Sequence, residues 1–568
     1  MKKTGAQILC EGLVSEGVEV MFGILGGVLL PLYDTFPQYP QLRHILVRHE
    51  QGAAHAADGY ARVTHKAGVC IGTSGPGASN LVTGIANAYM DSSPIIAITG
   101  QVASPFIGKD AFQETDITGI TLPITKHNYL VTSAAEIAEV VKEAFYIAQT
   151  GRPGPVLIDI PKDVQQQEVE FIYPDKVNLP GYKPVTKGHP AQIKKAAELI
   201  NKAERPLIIA GRGIILSQAY DELRELAEKA QIPVVNTLLG IGSFPQNHIL
   251  SFGMIGMHGL AYANMAVQNA DLIVAIGMRF DDRATANTAH FAPHAGIVHI
   301  DIDPAEIGKN IPVDVPLVGD VKSVLKEMNE EIERGDHLDW VSQLEQWQQE
   351  HPSLEIRQSD ELLPQYVIQQ ISEATQGNTI VVTGVGQHQM WAAHHFVCTR
   401  PDRFVSSGGL GTMGFELPAS IGAKVGKPEE MVWCVAGDGS FQMTLQELAT
   451  ISQENIAIKI AIINNGYLGM VRQWQEFYHE SRYVATKLWN PDFVKIAEAY
   501  DIPGLKVKHR EEVLPAIYQA MDSPGSFLLE FVVEPEENVY PMVGPGESLS
   551  NTMELPKDIA VGGAKPRF

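Results

Sequence analysis

Short apolar runs that end at glycine recur in three separate stretches of this chain, and they constrain its fold more than any other feature. The first strand-like run of each stretch reads VEVMFGI, RPLIIAGRG and NTIVVTGVG, and a segment with helical periodicity follows each one. Nearly continuous apolar runs of this length are typical of strands buried on both faces of a parallel sheet. The alternation of such strands with helices predicts three α/β domains, each with a doubly wound parallel sheet.

The length of the chain agrees with this division, because 568 residues exceed what one hydrophobic core usually organises. We assign residues 1–163 to the first domain, 190–335 to the middle domain and 362–540 to the third, and we treat 541–568 as a C-terminal tail. The polar, proline-containing segment that follows residue 163 is interpreted as a linker, and a charged segment from Arg334 to Glu361 separates the middle and third domains.

Charge and hydropathy exclude several classes of function. A formal net charge of -23 repels nucleic acid and anionic membrane surfaces, so neither is an expected partner. No apolar stretch is long enough to span a bilayer, and Glu11, Ser15 and Glu16 interrupt the first one, which favours an amphipathic helix over a signal peptide. We therefore expect a cytoplasmic location. The same net charge requires local cations in any site that binds a small carboxylate.

Two strand ends in the third stretch each deliver an oxygen ligand. Asp438 follows VWCVAG and Asn465 follows IKIAIIN, and each lies in a glycine-containing turn. A hard cation such as Mg²⁺ takes oxygen ligands and shares itself with phosphate oxygens. Gly437 and Gly439 would allow a diphosphate to approach, and the carbonyl of Tyr467 is the expected third ligand. Because ligands bind beyond the carboxyl ends of parallel strands, the pair predicts a metal-diphosphate anchor.

Glu50 is an acidic residue of the first stretch that follows the apolar run HILV at the start of an alanine-rich helix. Taken alone, it is explained by the helix dipole, which favours an anion in the first turn. Together with the motif at Asp438 and Asn465, its placement resembles that in thiamine-diphosphate enzymes. This resemblance implies an acid that protonates the aminopyrimidine ring of the cofactor from a different domain.

Over nearly its whole length the sequence resembles the family of large catalytic subunits of acetolactate synthase, also called acetohydroxyacid synthase. The motifs that carry the resemblance are TSGPGASN, GKDAFQETD, GRPGPVLIDIPKD, MIGMHG, GMRFDDR, GVGQHQMWAA, GGLGTMGF and GYLGMVRQWQ, together with the two metal motifs. RFDDR and GMVRQW are the most specific of these. The resemblance implies thiamine diphosphate, Mg²⁺ and FAD as cofactors.

The resemblance assigns cofactor positions residue by residue. Met413 would hold thiamine diphosphate in its bent form. The other positions implied for thiamine diphosphate are Glu50, Gly386, Gln387, His388, Gly437, Asp438, Gly439, Ser440, Asn465 and Tyr467. Those implied for FAD are Arg152, Gly211, Arg212, Gly213, His258, Arg279, Asp301 and Asp320. FAD is expected to be structural, since the reaction has no net redox step, and a flavin-free Rossmann-like domain is the alternative.

Substrate positions follow from the same resemblance. Arg283 and Lys162 would supply the cations that the net charge demands, and Gln113 would reach the reacting carbonyl. An apolar wall would be formed by Phe112, Met257, Val471 and Trp474. Trp474 implies a preference for 2-ketobutyrate over the smaller pyruvate as the acceptor.

The implied reaction is the decarboxylation of pyruvate and ligation of its two-carbon unit to a second 2-ketoacid. Pyruvate as acceptor gives 2-acetolactate, and 2-ketobutyrate gives 2-aceto-2-hydroxybutyrate, the first common step of valine, leucine and isoleucine biosynthesis. In this family the two cofactor half-sites face each other across subunits. A homodimer or tetramer and a small regulatory subunit are therefore expected.

Three residues depart from the family pattern, and four other functional assignments are alternatives. Leu25 and Val28 stand in a turn that usually reads GYPGGA, and Glu416 replaces a small residue near the cofactor. The alternatives are pyruvate oxidase, glyoxylate carboligase, a 2-ketoacid decarboxylase or a non-catalytic paralogue. Glu50 argues against glyoxylate carboligase, and GMVRQW argues against the decarboxylases. The intact set of Glu50, Asp438 and Asn465 disfavours the paralogue.

Overall fold

The structure, a computed structural model, describes residues 2–556, and the part of the predicted tail beyond residue 556 lies outside it. Three six-stranded sheets follow one another along the chain, and every strand pairing within them is parallel. Helices cover the sheets, which confirms the predicted class of three doubly wound α/β domains.

The first sheet has its most apolar strands at the centre. Its strands, in spatial order, are Arg43–Leu46, Val20–Gly23, Gly68–Gly72, Ile95–Gln101, Val156–Pro161 and His127–Leu130. The helices of this domain are Gly5–Ser15, Leu30–Thr35, Glu50–Thr64, Pro76–Asn80, Val82–Met90, Ile117–Thr121, Ile137–Gln149 and Lys162–Gln166. The predicted N-terminal helix is therefore present, and a short strand, Lys2–Thr4, precedes it.

The middle sheet repeats the pattern. Its strands, in spatial order, are Ser251–Met254, Val234–Asn236, Pro206–Ala210, Leu272–Ile276, Gly296–Asp301 and Val315–Val318. Its helices are Pro190–Ile200, Arg212–Ser217, Tyr220–Ala230, Ala261–Asn269, Asp282–Thr285 and Val321–Glu331. The charged segment predicted to separate the middle and third domains contains a further helix, Leu338–Glu350. Trp340, Val341 and Leu344 of that helix are buried in the middle core, so this helix packs on the middle domain.

The third sheet carries the predicted metal motifs at the ends of adjacent strands. Its strands, in spatial order, are Phe404–Ser406, Ile380–Thr383, Val432–Gly437, Lys459–Asn464, Phe527–Val532 and Gly504–Val507. Its helices are Pro364–Thr375, Gln387–His395, Glu416–Gly426, Asp438–Phe441, Leu448–Glu454, Gly469–Tyr478, Phe493–Ala499 and Arg510–Asp522. A two-stranded antiparallel sheet, Met542–Val543 with Thr552–Met553, follows.

The segment predicted to be a linker is partly docked. Its residues Glu168–Glu170 form an antiparallel strand with Lys2–Thr4, and Phe171, Tyr173 and Tyr182 pack against the first core. Burial of these aromatic side chains explains why a polar, proline-containing sequence does not remain free of the domain.

The first and third domains are joined by two helices that cross at close range. A Cβ atom at Gly422 would overlap the carbonyl of Ala56, so only glycine permits this approach of Glu416–Gly426 to Glu50–Thr64. Beside the crossing, the buried Arg62 pairs with Asp58 and Asp91, each at 2.7 Å. Arg62 Nη1 also donates to the Ser406 carbonyl at 2.6 Å, and Asp91 accepts the Gly408 amide at 3.1 Å, so this cluster bonds the first domain to the third.

Among residues 2–556, no helix combines the length and the apolar character that crossing a membrane requires.

Candidate active site

One large cavity lies where the carboxyl ends of the middle and third sheets meet. Its volume is about 640 Å³, and residues of both domains line it together with Met90, Asp91, Ser92, Arg152 and Pro153 of the first. The sequence-predicted residues that line it are Arg152, Arg212, Gly213, Met257, His258, Arg279, Arg283, Asp301, Gly386, Gln387, His388, Met413, Gly437, Asp438, Gly439, Ser440, Asn465, Tyr467, Val471 and Trp474. The structure therefore brings most of the predicted site together.

Asp438 and Asn465 follow neighbouring strands and line the same part of the cavity, which we call the metal corner because it is the predicted metal site. Asp438 is buried, and its Oδ2 accepts hydrogen bonds from Asn490 Nδ2 at 2.6 Å and from the Gly466 amide at 3.1 Å. Burial raises the pKa of Asp438 to about 6, because these hydrogen bonds only partly offset the loss of solvent. A carboxylate and an amide oxygen at one buried point fit a hard divalent cation, whose charge would offset that loss.

The side chain of Gln387 orients Asn465. Its Oε1 accepts from Asn465 Nδ2 at 3.0 Å, which leaves the amide oxygen of Asn465 to face away from Gln387. Its Nε2 donates to Gln473 Oε1 and to the Glu537 carbonyl, both at 2.9 Å. These contacts use both amide hydrogens of Gln387. Its side chain therefore supports the metal corner rather than offering a free donor to a diphosphate.

The neighbouring part of the cavity fits an anion such as a diphosphate. Helices Gln387–His395 and Asp438–Phe441 both begin at its wall, and their first backbone N–H groups have no partner within the helix. Burial lowers the pKa of His388 to about 3, so its ring is neutral. Its Nε2 is buried without a hydrogen-bond partner among the described residues, as expected for an atom that awaits a ligand.

The middle-domain part of the cavity fits a dinucleotide. Asp301 ends the strand Gly296–Asp301 and is buried, which raises its pKa to about 6. Arg212 donates to Ser93 at 2.9 Å, and its Nε has no hydrogen-bond partner within residues 2–556. An acid at a strand end and a partly buried arginine with an unused donor are the groups that ribose and phosphate require.

Arg152 already has partners at the rim of this region. It forms ion pairs with Glu306 at 2.6 Å and Asp303 at 3.3 Å. Two predicted FAD residues do not line the cavity. Gly211 precedes the helix Arg212–Ser217, and Asp320 caps the helix Val321–Glu331 by accepting from the Ser323 amide at 3.0 Å.

The predicted apolar wall is assembled only in part. Met257 and Trp474 line the cavity with Val471, and Arg283 places its Nη1 3.2 Å from the sulfur of Met257. Arg283 is mostly exposed at the cavity rim, where a small carboxylate would enter.

Four predicted residues of the first domain lie away from this cavity. Glu50 is buried at the start of its helix, where Asn80 Nδ2 donates to its Oε2 at 2.9 Å. Phe112 is 87% exposed, Gln113 is exposed beside it, and Lys162 begins the helix Lys162–Gln166. None of them lines the cavity that contains Asp438. A single chain thus presents the acid and the metal corner in separate places.

Glu447 is a buried residue that the sequence motifs did not single out. It extends from the third domain to the start of the Glu50 helix, where its carboxylate accepts the backbone N–H groups of Arg48 and His49 at 3.0 to 3.2 Å. Asn80 and Asn490 were likewise not assigned roles, although they hold Glu50 and Asp438. Asn80 ends the motif TSGPGASN, which gave no role for it, and no quoted motif contains Glu447 or Asn490. The partners of all three residues are distant in sequence.

Glu416, the residue that departs from the family pattern, is fully buried beneath the cavity wall. Neither of its carboxyl oxygens has a hydrogen bond of normal geometry among the described residues. Burial raises its pKa to about 7, and the nearby Ser440 hydroxyl offsets this only in part. The side chain thus neither turns to solvent nor pairs with a cation.

Comparison with known proteins assigns all three domains to one kind of enzyme. Residues 3–120 match the N-terminal TPP binding domain of thiamine pyrophosphate enzymes, residues 193–328 the central domain, and residues 384–531 the C-terminal TPP binding domain.

Close similarity also extends to curated proteins. The chain is 50% identical to the acetolactate synthase large subunit of Corynebacterium glutamicum, over 97% of this chain and 90% of that protein. It is 49% identical to the probable acetolactate synthase large subunit of Methanocaldococcus jannaschii, over 99% and 97%. Identity to the acetolactate synthase large subunit of Cyanidium caldarium is 47%, over 98% of each.

Proposed function

This chain belongs to the acetolactate synthase large-subunit family of thiamine pyrophosphate enzymes, and on that premise we propose the reaction that it catalyses. Pyruvate loses CO₂, and its remaining two-carbon unit joins a second 2-ketoacid. Pyruvate as acceptor gives 2-acetolactate, and 2-ketobutyrate gives 2-aceto-2-hydroxybutyrate. The observation that carries the proposal is the single cavity in which Asp438 and Asn465 lie together with Met257 and Trp474.

Thiamine pyrophosphate would be held by the third domain through Mg²⁺. Asp438, Asn465 and the carbonyl of Tyr467 would supply the protein ligands, and His388 with the adjoining helix N-termini would face the diphosphate. When bound, the cofactor would supply the nucleophilic carbon to which pyruvate adds and the electron sink that stabilises the negative charge left by the loss of CO₂. The protein's contribution is to exclude water, orient both ketoacids and hold one proton.

Glu50 is the residue that would hold that proton. It would face the aminopyrimidine of a cofactor bound by the partner's third domain, because it does not line the cavity of its own chain. Asn80 fixes the orientation of its carboxyl group. We therefore propose a homodimer as the smallest active unit, with a tetramer as the alternative. Association with a small regulatory subunit and a cytoplasmic location stay predictions.

The acceptor ketoacid would bind between the positive charge of Arg283 and the apolar wall. Arg283 would pair with its carboxylate at the rim, where it offsets the negative field of the chain. Trp474, Met257 and Val471 would contact the alkyl group, and each added methylene buried there contributes about 0.8 kcal/mol. Phe112, Gln113 and Lys162 would reach the same substrate from the partner's first domain.

FAD is proposed to occupy the middle-domain part of the cavity. Arg212, Asp301 and His258 would contact it, and the neutral ring of His258, whose pKa burial lowers to about 3, offers an unused Nδ1 among the described residues. No electrons are transferred in the balanced carboligation, so the flavin would have a structural role.

The test is turnover of pyruvate by purified protein with thiamine pyrophosphate, Mg²⁺ and FAD, in which acetolactate and CO₂ are quantified. Addition of 2-ketobutyrate should divert product to acetohydroxybutyrate. Formation of acetaldehyde or acetyl phosphate in place of acetolactate would contradict the carboligase assignment.

A further inference from the structure

The loop of residues 102–116, which we call the substrate loop, connects the strand Ile95–Gln101 to the helix Ile117–Thr121. It carries Phe112 and Gln113 and is largely exposed. An exposed loop can place a side chain against substrate only if something fixes its position. The structure shows what fixes this one.

Gln113 is held in a conformation that a non-glycine residue rarely adopts. Its φ is +59°, in the left-handed region. Gly75 lies directly beneath it, and a Cβ atom at Gly75 would lie 2.9 Å from the Cα of Gln113. Such a conformation costs about 1–3 kcal/mol and persists only where the surroundings over-determine it. The contacts of the substrate loop must therefore supply that constraint.

The loop's own shape is maintained by Glu114. Its carboxylate accepts backbone N–H groups from Gly108, Lys109 and Ala111, the last at 2.9 Å, and these hydrogen bonds lower the pKa of Glu114. All of these partners lie inside the loop. They define its fold but do not attach it to the sheet.

Gln101 provides the attachment next to Gln113. Its Nε2 donates to the Thr115 carbonyl at 2.8 Å and to Asp159 Oδ2 at 3.0 Å, and its Oε1 accepts the Val102 amide at 2.9 Å. Both amide hydrogens are used, so the orientation of the amide is determined. Gln101 itself is buried at the end of a central strand.

Asp159 ensures that the amide of Gln101 points its donors towards the loop. It is buried on the adjacent strand, where its Oδ1 accepts the Thr99 hydroxyl at 2.7 Å and its Oδ2 accepts from Gln101. A flipped amide would place oxygen against oxygen at Asp159. It would also lose the bonds to Val102 and Thr115.

We infer that Gln101 is a positioning residue for the carboligation, which holds the substrate loop at Thr115 so that Gln113 meets the reacting carbonyl. Asp159 acts through Gln101 by setting the direction of its amide. The inference rests on the proposed function for the role of Gln113, whereas attachment of the loop is a structural claim that can be measured alone.

The experiment compares Gln101→Leu with Thr99→Val in the full-length protein loaded with its cofactors. Gln101→Leu removes the donor to Thr115. Thr99→Val removes a hydrogen bond to the same Asp159 but leaves the attachment intact. Hydrogen–deuterium exchange of peptides that cover the substrate loop should accelerate at least tenfold in Gln101→Leu and stay unchanged in Thr99→Val.

Kinetics give the second measurement. A displacement of about 1 Å can cost about 100-fold in rate, so kcat of Gln101→Leu should fall towards that limit while KM for pyruvate changes less. The ratio of acetohydroxybutyrate to acetolactate should also change at least threefold. Thr99→Val should keep the wild-type ratio and kcat with a lower melting temperature. Gln101→Met, which keeps the length of the side chain and has no N–H donor, replaces the leucine variant if that variant does not fold.

Two results would overturn the inference. One is unchanged loop exchange in both Gln101 variants, which would show that the loop is held elsewhere. The other is faster exchange with wild-type kcat and product ratio, which would show that attachment has no role in positioning. A wild-type enzyme that forms no acetolactate would instead contradict the proposed function, and the exchange measurement would still decide whether Gln101 attaches the loop.

Discussion

At the scale of single residues, three buried carboxyl groups near the proposed site have three different environments. Asp438 accepts hydrogen bonds and faces a point that suits a cation. Glu50 has one amide partner, Asn80. Glu416 has no hydrogen bond of normal geometry among residues 2–556. The raised pKa of Asp438 and that of Glu416 therefore follow from their burial and contacts rather than from their residue type alone.

Replacement of Glu50 by glutamine is expected to reduce kcat by at least about 100-fold, since general acid–base groups typically contribute factors of 10² to 10⁴. The amide keeps the shape and the contact with Asn80 but cannot exchange the proton. Acetolactate formation at saturating pyruvate measures the effect. Glu19→Gln, an exposed change on the same domain, is the control. Wild-type turnover in Glu50→Gln would refute the acid role.

Glu416 is expected to make stability depend on pH. Burial raises its folded pKa to about 7, above the unfolded value of 4.5, so stability is lost as pH rises from about 4.5 through 7. The full effect is on the order of 3 kcal/mol. Glu416→Gln removes it, and the melting temperature of the variant relative to wild type should therefore rise between pH 5 and pH 8.5. A constant difference across that range would show that Glu416 is not a buried titrating acid.

Residue roles were predictable where a motif carried them. Asp438 and Asn465 follow apolar strands in glycine turns, and the resemblance added Met413 and Trp474. Asn490 and Glu447, which hold the metal corner and the start of the Glu50 helix, were not predictable. Each acts across tens or hundreds of residues on a partner that only the folded chain brings near.

At the scale of elements, the central strands of every sheet were predictable and most edge strands were not. Long apolar runs mark Ile95–Gln101 and Val432–Gly437, because both faces of a central strand are buried. His127–Leu130 and Gly504–Val507 are short and partly exposed, and their sequences lack that signal. The helix Leu338–Glu350 was missed for a related reason, since its charged face conceals a narrow buried stripe.

The helix Gly469–Tyr478 connects the substrate wall to the metal corner through one side chain. Gln473 accepts from Gln387 and donates to the Val539 carbonyl at 3.0 Å, and Gln387 in turn orients Asn465. Gln473→Leu removes the hydrogen bond that fixes Gln387, so Asn465 should be less well oriented. The binding free energy of Mg²⁺ should then weaken by roughly 1.4 kcal/mol, which corresponds to about a tenfold loss of affinity.

Calorimetric titration of Mg²⁺ into apoprotein saturated with thiamine pyrophosphate checks this prediction without reference to turnover. Gln475→Leu on the same helix is the matched control, because its amide bonds Val484 and Thr486 and makes no hydrogen bond to Gln387 or Asn465 among the described residues. Equal Mg²⁺ affinity in the two variants would exclude a role of Gln473 in orienting Asn465.

At the scale of the whole molecule, the three-domain division followed from the sequence, but the relation between domains did not. The glycine crossing at Gly422 and the buried cluster at Arg62 join the first and third domains of one chain. That contact leaves Glu50 outside the cavity of its own third domain. Hydrophobic periodicity carries no information on such packing, and only the resemblance predicted half-sites shared between subunits.

A mixing experiment tests the shared site. Glu50→Gln and Asp438→Asn should each be nearly inactive alone, since each damages every site of its own homodimer. Random reassociation of equal amounts makes half of the dimers mixed, and each mixed dimer has one intact site, so about one quarter of wild-type activity should return. Absence of recovery after verified subunit exchange would place both residues in a site within one chain.

The separation of Glu50 from the metal corner also links the association of chains to the supply of thiamine. In the proposed shared site, thiamine pyrophosphate would contact two chains at once. It would therefore favour their association by mass action, as any ligand favours the state that binds it. A low supply of thiamine would then lower the amount of active enzyme in two ways. Fewer sites would be filled, and fewer chains would be held in the associated state. Scarcity of the cofactor would thereby lower the number of assembled enzymes as well as the fraction that carries cofactor.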